Sequence, residues 1–251
     1  MQINTVIISE ADKVNTIVPT YQENYHKKIH DFIANNSLTI VKSDPTKNFQ
    51  RKLRNVINEC QIILLKDEKW KYVNLNTSAP TIRGLMKIHK SDFPIRPVVN
   101  WHNAAAHKLA KMLARKLQTY LPLLYTFNVK NSVQLVDDLS KIPSDPYLQF
   151  GSFDITNMYS NVPTDELINI IDSMCDQHNI SGKLKLGLIN PCNTTIKQNY
   201  FRYLNTFYLQ EKGLAMGSPT WSIFSEIYLQ YIENTAIYDG LRHNNTAGYL
   251  R

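Results

Sequence analysis

The sequence predicts an α+β fold, in which amphipathic helices alternate with short pairs of antiparallel strands. Several segments carry apolar residues at helical spacing, and the clearest of them is 104–121. Two other segments, 81–100 and 199–209, each have the pattern of two strands joined by a tight turn. A further strand is expected at the start of 147–163, because an apolar and aromatic run there follows the turn at Asp145-Pro146.

The size and composition are those of a globular protein. The chain has 251 residues and a mass of 29.0 kDa, enough to bury a core as one large domain or two lobes. No apolar run is long enough for a membrane span, and the N-terminal residues lack a signal-peptide pattern. Cys60, Cys175 and Cys192 are odd in number and widely scattered, which argues against a disulfide framework or a zinc site. We therefore expect an intracellular protein, in the nucleus or cytoplasm, with no membrane partner.

The charge balance favours a polyanionic partner. The formal net charge is +7, and 14 Tyr and 9 Phe accompany it. Basic side chains neutralise phosphates and aromatic rings stack on bases, so this combination suits nucleic acid. Many intracellular proteins are equally basic, however, and charge alone leaves that alternative open.

Two helices are predicted before the first strand pair. The segment 17–36 has apolar and aromatic residues at helical spacing, at Tyr21, Tyr25, Ile29, Phe32 and Ile33. A second helix near 46–65 follows a turn, with Phe49, Leu53, Val56 and Ile57 on one face and Lys47, Arg51, Lys52 and Arg54 on the other. Residues 74–80 are predicted to be a loop.

The strand pair at 81–100 turns at Ser91-Asp92, and Pro94 and Pro97 limit its second strand to a sheet edge. This pair displays basic residues, namely Arg83, Lys87, His89, Lys90 and Arg96. Helix 104–121 follows, with an apolar face and an opposite basic face at His107, Lys108, Lys111, Arg115 and Lys116. The basic face fits contact with a phosphate backbone, although a solvated surface and a membrane-surface helix remain alternatives.

Asp154 closes the strand predicted within 147–163, and a helix over 164–177 comes after it. A carboxylate at a strand end is well placed to hold a divalent cation, and the aromatic residues that follow, ending in Tyr159, could wall a pocket. An Asp in this position more commonly begins a turn, which is the alternative.

A loop with two glycines lies between the strand pair at 199–209 and the next helix. Its sequence, GLAMGSPT, starts at Gly213 and includes Gly217, Ser218 and Pro219. Such a junction lets backbone approach a ligand closely, and the helix N-terminus favours an anion. Glycines that only turn the chain are the alternative.

Taken together and in order, these segments resemble the reverse transcriptase of Penelope-like retroelements, a family related to telomerase. The resemblance runs from Ala11-Asp12-Lys13 to Arg251 and rests on five motifs: DPTKNFQRK (44–52), RGLMKIHK (83–90), FPIRPVVN (93–100), FDITNMYSNVPTDE (153–166) and GLAMGSPTWS (213–222). The resemblance implies fingers with an N-terminal helical region, residues 1–145, and a partial palm, residues 146–251. It also implies a small antiparallel palm sheet with Asp154 at its centre, and no thumb.

The resemblance also implies the partners and the role of each site residue. An RNA template, a DNA primer and deoxynucleoside triphosphates would be the partners, and two Mg²⁺ ions the cofactor. Asp154 and the Ile155 carbonyl would be metal ligands, and Asp154 would also be catalytic. The implied nucleotide-binding residues are Lys87, Arg96, Tyr159, Gly217, Ser218 and Pro219. The basic residues expected to contact nucleic acid are Lys90, Lys108, Lys111 and Arg115.

Three departures from the family pattern bear on activity. Met86 stands where family members usually have Pro, and Val14 where they usually have Gly. In the family, a Tyr-x-Asp-Asp hairpin that supplies the remaining metal-binding carboxylate follows the position of Leu250-Arg251, where this sequence ends. We therefore expect an RNA-directed DNA polymerase domain of a retrotransposon that is inactive as this fragment and holds Mg²⁺ at most weakly. The alternative is a non-enzymatic remnant that retains nucleic-acid binding.

Overall fold

The structure, a computed structural model, describes residues 5–36, 38–60, 62–64, 66–124, 127–143, 145–156, 158–243 and 246–251. Its class is mixed α+β, as the sequence predicts. The strands are β1 (Val6–Glu10), β2 (Ile17–Tyr21), β3 (Leu38–Val41), β4 (Thr81–Met86), β5 (Ile95–Asn100), β6 (Tyr200–Tyr203) and β7 (Thr206–Gln210). The α-helices are α1 (Gln22–Asn35), α2 (Thr46–Glu59), α3 (His107–Tyr120), α4 (Ser132–Ser140), α5 (Met158–Asn161), α6 (Thr164–Gln177), α7 (Gly182–Ile196), α8 (Trp221–Ile232) and α9 (Tyr238–His243). A 3-10 helix covers Lys66–Tyr72, and a π-helical turn, Glu233–Ile237, joins α8 to α9.

Two sheets organise these strands. β1 and β2 form an antiparallel pair, and the larger sheet has the order β3-β7-β6-β4-β5. Within the larger sheet, β4 and β6 are joined by one parallel residue pair, Thr81 with Arg202, while the other neighbours are antiparallel. Strands from both 1–145 and 146–251 therefore share one sheet.

The core lies between the sheet and helices α2, α3, α6 and α7. Leu109, Leu113 and Leu117 on one face of α3, and Leu121 directly after its last residue, are fully buried and four residues apart. Residues at that spacing lie on one face of a helix, so the sequence pattern alone fixes which side of α3 is inside. The opposite face of the same helix carries its basic residues.

Most of the predicted elements are confirmed. The strand pairs at 81–100 and 199–209 form β4–β5 and β6–β7, and the helices at 104–121 and 164–177 form α3 and α6. Helix α2 is shorter than the predicted 46–65, because it ends at Glu59. The helix predicted over 17–36 begins only at Gln22, since the five residues before it pair with β1.

The strand predicted to end at Asp154 is wrong. Residues 149–155 are irregular, and no strand of the described part of the chain pairs with them. Tyr147, Phe150 and Phe153 are 88%, 92% and 95% exposed. The apolar pattern is that of a strand, but a strand needs a hydrogen-bonded neighbour and a surface to cover, and this segment has neither among the described residues. The expectation that Asp154 lies at the centre of a sheet is corrected with it.

Candidate functional site

The β4–β5 hairpin carries the two basic residues implied to bind nucleotide. Leu85 pairs with Arg96 across the hairpin, and the Lys87 amide donates to the Pro94 carbonyl at 2.8 Å. This pairing places Lys87 and Arg96 near each other at the end of the hairpin. Burial lowers the pKa of Lys87, and the charge of Arg96 lowers it further. Lys90 lies exposed in the connection between the two strands.

A buried carboxylate that is not among the site residues predicted from the sequence lies beside Arg96. Asp12 Oδ1 is 3.3 Å from Arg96 Nε, and Asp12 is 3% exposed. Its backbone amide donates to the Met86 carbonyl at 2.8 Å, which fastens the end of the β1 strand to the end of β4. The position of Asp12-Lys13 at the start of the resemblance was the available signal, but a sequence pattern does not reveal burial.

The Gly-Ser-Pro loop packs directly on β5. Gly217 has φ +82°, and a Cβ built on it would be 2.0 Å from the Val99 carbonyl oxygen. Only glycine fits a backbone that both adopts this conformation and approaches another backbone so closely. The loop is further shaped by a 3.0 Å hydrogen bond between the Ser218 and Thr220 hydroxyls, and Pro219 is half-buried between them. The fold thus brings together two motifs that are about 120 residues apart in the sequence.

The residues expected to contact nucleic acid on α3 form an exposed basic surface. Lys108, Lys111 and Arg115 are all exposed, on the side of the helix opposite its buried leucines. Lys108 Nζ donates to the Val73 carbonyl at 3.4 Å, and Lys116 Nζ lies 5.7 Å from the centre of the Tyr120 ring. The surface is therefore accessible to a polyanion.

Asp154 lies on the exposed irregular segment that precedes α5. Among the described residues its side chain has no hydrogen-bond or ion-pair partner, and no cluster of three or more His, Cys, Asp or Glu side chains could hold a metal ion. A pair of Mg²⁺ ions needs several oxygen ligands with enough negative charge to hold both ions close together. The two-ion site implied at Asp154 and the Ile155 carbonyl stays a prediction. The side chain of Tyr159 lies outside the described residues.

A second feature that no sequence pattern predicts is a cleft between α6 and α8. Its volume is about 700 Å³. Its wall includes apolar Ile170 and Ile227 beside polar Glu166 and Gln230, and it extends to the π-helical turn that follows α8. None of the residues implied to bind nucleotide, metal or nucleic acid lines it.

An ion cluster around the buried carboxylate of Glu233 lies where α8 enters the π-helical turn. Arg251 Nε donates to Glu233 Oε1 at 2.6 Å, and Arg251 Nη2 donates to Glu226 Oε1 at 2.7 Å. Tyr249 also donates to Glu233, which is 1% exposed. Hydrogen bonds from Arg251 and Tyr249 satisfy a carboxylate that is almost entirely removed from water.

The sequence matches no protein-family model and no curated protein sequence. In the part of the chain that the structure describes, no helix has the length and apolar character needed to cross a membrane.

Proposed function

We propose that this chain is the fingers and partial palm region of a reverse transcriptase of the Penelope-like group, and that it binds an RNA template paired with a DNA primer. The observation that carries the proposal is the contact of Gly217 with Val99. It brings the Gly-Ser-Pro loop onto the strand that carries Arg96, as a polymerase would need if loop and hairpin were to hold the same nucleotide and template base.

The electrostatics support a nucleic-acid partner. Lys108, Lys111 and Arg115 are exposed along α3, and the net charge of the chain is +7. Exposed cations on one helix face bind a phosphate backbone by releasing its condensed counterions, which gives sequence-independent affinity that falls steeply with salt. The exposed aromatic residues before Asp154 are suited to stacking on unpaired bases.

Asp154 distinguishes two forms of the proposal. In a two-ion mechanism the ions lower the pKa of the primer 3′-hydroxyl and neutralise the charge that builds on the transferred phosphate. One carboxylate supplies too little charge to hold both ions, so this chain would bind primer–template without extending it efficiently. A non-enzymatic remnant that binds nucleic acid is the second candidate, and the exposed position of Asp154 on an irregular segment favours it.

The binding proposal is tested with a fluorescently labelled RNA–DNA primer–template and anisotropy titrations over a series of salt concentrations. We expect log K to fall linearly with log salt concentration. The double variant Lys111→Gln/Arg115→Gln should reduce the slope by about 1.4–1.8, which corresponds to the loss of two phosphate contacts. The control is Lys183→Gln/Lys197→Gln, which removes the same charge from exposed positions at the two ends of α7. Equal slopes in the two double variants would contradict an interface on α3.

A primer-extension assay with Mg²⁺ separates the two candidates. We expect no template-dependent product from the 251-residue chain. Extension that is lost in Asp154→Asn would favour the polymerase over the non-enzymatic remnant and would show that other groups complete the metal site. Absence of salt-dependent binding to the primer–template would overturn both.

A further inference from the structure

Asp12 is a buried carboxylate whose surroundings are unusually basic. It is 3% exposed, while the Arg96 side chain that it contacts is 48% exposed. Burial lowers the pKa of Lys87 most, and the positive charges of Arg96, Lys90 and Lys13 lower it further. Of the nearby charges that act on Lys87, only that of Asp12 raises this pKa. Four cations, including Lys87 itself, and one carboxylate therefore lie close enough to interact electrostatically at the end of the β4–β5 hairpin.

The contact between Asp12 and Arg96 is not the geometry that would give the strongest ion pair. A stabilising Arg–carboxylate pair is commonly bidentate, with two parallel N–H to oxygen bonds. Here a single contact of 3.3 Å joins Oδ1 to Nε, and Oδ2 is buried without a hydrogen-bond partner among the described residues. A carboxylate that is buried with one oxygen unsatisfied weakens the fold, so the arrangement is poorly explained by stability.

The same contact leaves the outer end of the arginine available. Within the described residues, no acceptor is hydrogen-bonded to Arg96 Nη1 or Nη2. A guanidinium held at Nε still presents these two terminal nitrogens, and that pair matches two oxygens of a phosphate group. Fixing an otherwise flexible side chain before the ligand arrives reduces the entropy lost on binding.

We propose that Asp12 is a positioning residue, whose buried carboxylate holds Arg96 at Nε so that its terminal nitrogens, with Lys87 alongside, bind the phosphates of a nucleoside triphosphate. The inference deepens the proposed function and rests on it for the substrate class. Asp12 itself does not touch the ligand. Its influence passes through Arg96.

The test is a double-mutant cycle on triphosphate affinity. Binding of deoxyguanosine triphosphate is measured by calorimetry at low salt without divalent cation, for the wild-type chain, Asp12→Asn, Arg96→Gln and the double variant. We expect Arg96→Gln to weaken binding about tenfold and Asp12→Asn to weaken it about three- to tenfold. The double variant should bind no more weakly than Arg96→Gln, because the carboxylate acts only through the arginine.

Glu10→Gln is the matched control. Glu10 lies on β1 and its carboxylate is 3.6 Å from Arg83, the other arginine of the hairpin, but both side chains are more than half exposed. This variant removes one negative charge from the same region, so by general electrostatics it would raise triphosphate affinity slightly. A loss of affinity in Asp12→Asn but not in Glu10→Gln separates positioning from net charge. Unchanged affinity in Asp12→Asn, or additive losses in the double variant, would overturn the proposal.

A measurement on the unmodified chain keeps the test decisive if Asp12→Asn does not fold. Relaxation of the Arg96 Nε signal in an NMR spectrum should show a restricted side chain before triphosphate is added, and the Nη signals should sharpen only afterwards. Relaxation typical of a freely moving Arg96 side chain in the free protein would contradict the positioning role. Failure of the wild-type chain to bind triphosphate would also overturn the proposal. Primer–template binding through α3 is tested separately by the anisotropy titration, so a failure of one proposal can be told apart from a failure of the other.

Discussion

Replacement of Gly217 by alanine is the sharpest test of how the Gly-Ser-Pro loop meets the β4–β5 hairpin. The new methyl group would lie 2.0 Å from the Val99 carbonyl oxygen and 3.1 Å from its carbonyl carbon. Neither atom is the end of a flexible side chain, so the loop or the strand must move. The added volume costs about 1–3 kcal/mol, and holding an alanine at φ +82° costs about 1–2 kcal/mol more.

The expected loss of about 2–5 kcal/mol is large against the total stability of a domain, which is about 5–15 kcal/mol. It corresponds to a fall in Tm of roughly 4–20 °C for a chain of this size. Thermal and urea unfolding followed by circular dichroism measure it directly. The same substitution should displace the loop and weaken triphosphate binding in whatever fraction remains folded.

Two other glycines separate the causes of that loss. Gly182 has φ +57° but a Cβ there would meet nothing within 4 Å, so Gly182→Ala reports the cost of the backbone conformation alone. Gly240 lies in α9, also with nothing within 4 Å of a Cβ and without a positive φ, so Gly240→Ala should be neutral or stabilising. If Gly217→Ala were no more destabilising than Gly182→Ala, the close approach to Val99 would be refuted.

Three further predictions concern buried polar groups. Arg251→Ala should lower the free energy of unfolding by about 3–5 kcal/mol, because it leaves the Glu233 carboxylate, 1% exposed, without its cation. Arg251→Lys keeps a cation and should lose less stability in urea unfolding. Equal stability of the wild-type chain and both variants would contradict the role of the ion cluster. Gln198→Met should lower the free energy of unfolding by about 1–3 kcal/mol, because Gln198 Oε1 accepts a hydrogen bond from the buried Ala106 amide at 2.8 Å and a methionine of similar size cannot. An unchanged urea midpoint would refute that hydrogen bond. Burial, and then two nearby basic side chains, lower the pKa of His107 in the folded protein. The unfolded chain therefore binds a proton more readily, and the stability should fall as the pH drops below about 6.5. His107→Asn should show a smaller fall in urea midpoint between about pH 7.5 and about pH 5.5, and a fall identical to that of the wild-type chain would contradict this role of His107.

Elements whose stability comes from local pattern could be predicted from the sequence. The leucines four residues apart over 109–121 predict both helix α3 and its buried side, and all four are fully buried. β6 and β7 pair across a tight turn at Leu204-Asn205, as the pattern over 199–209 predicts, because residues close in sequence form the pair. The apolar residues of α2 are likewise inside, with Leu53 and Ile57 each 1% exposed.

Elements that depend on distant partners could not be predicted. The run before Asp154 has the composition of a strand, but pairing with another strand is a property of the whole fold, and residues 149–155 have no such partner in the described structure. The first residues of the segment 17–36 fit a helix by spacing, yet they form strand β2 because they pair with β1. Local propensity yields to tertiary pairing in both cases.

The candidate site divides in the same way. The sequence by itself determined which residues carry charge, which face of α3 is basic and where a glycine-containing loop lies, because these depend on composition and on short-range spacing. Only the tertiary structure decided that Gly217 rests on Val99 and that the buried carboxylate of Asp12 contacts Arg96. Both contacts join residues more than 80 positions apart, and a one-dimensional pattern holds no record of which distant backbone or charge a residue will meet when the core closes.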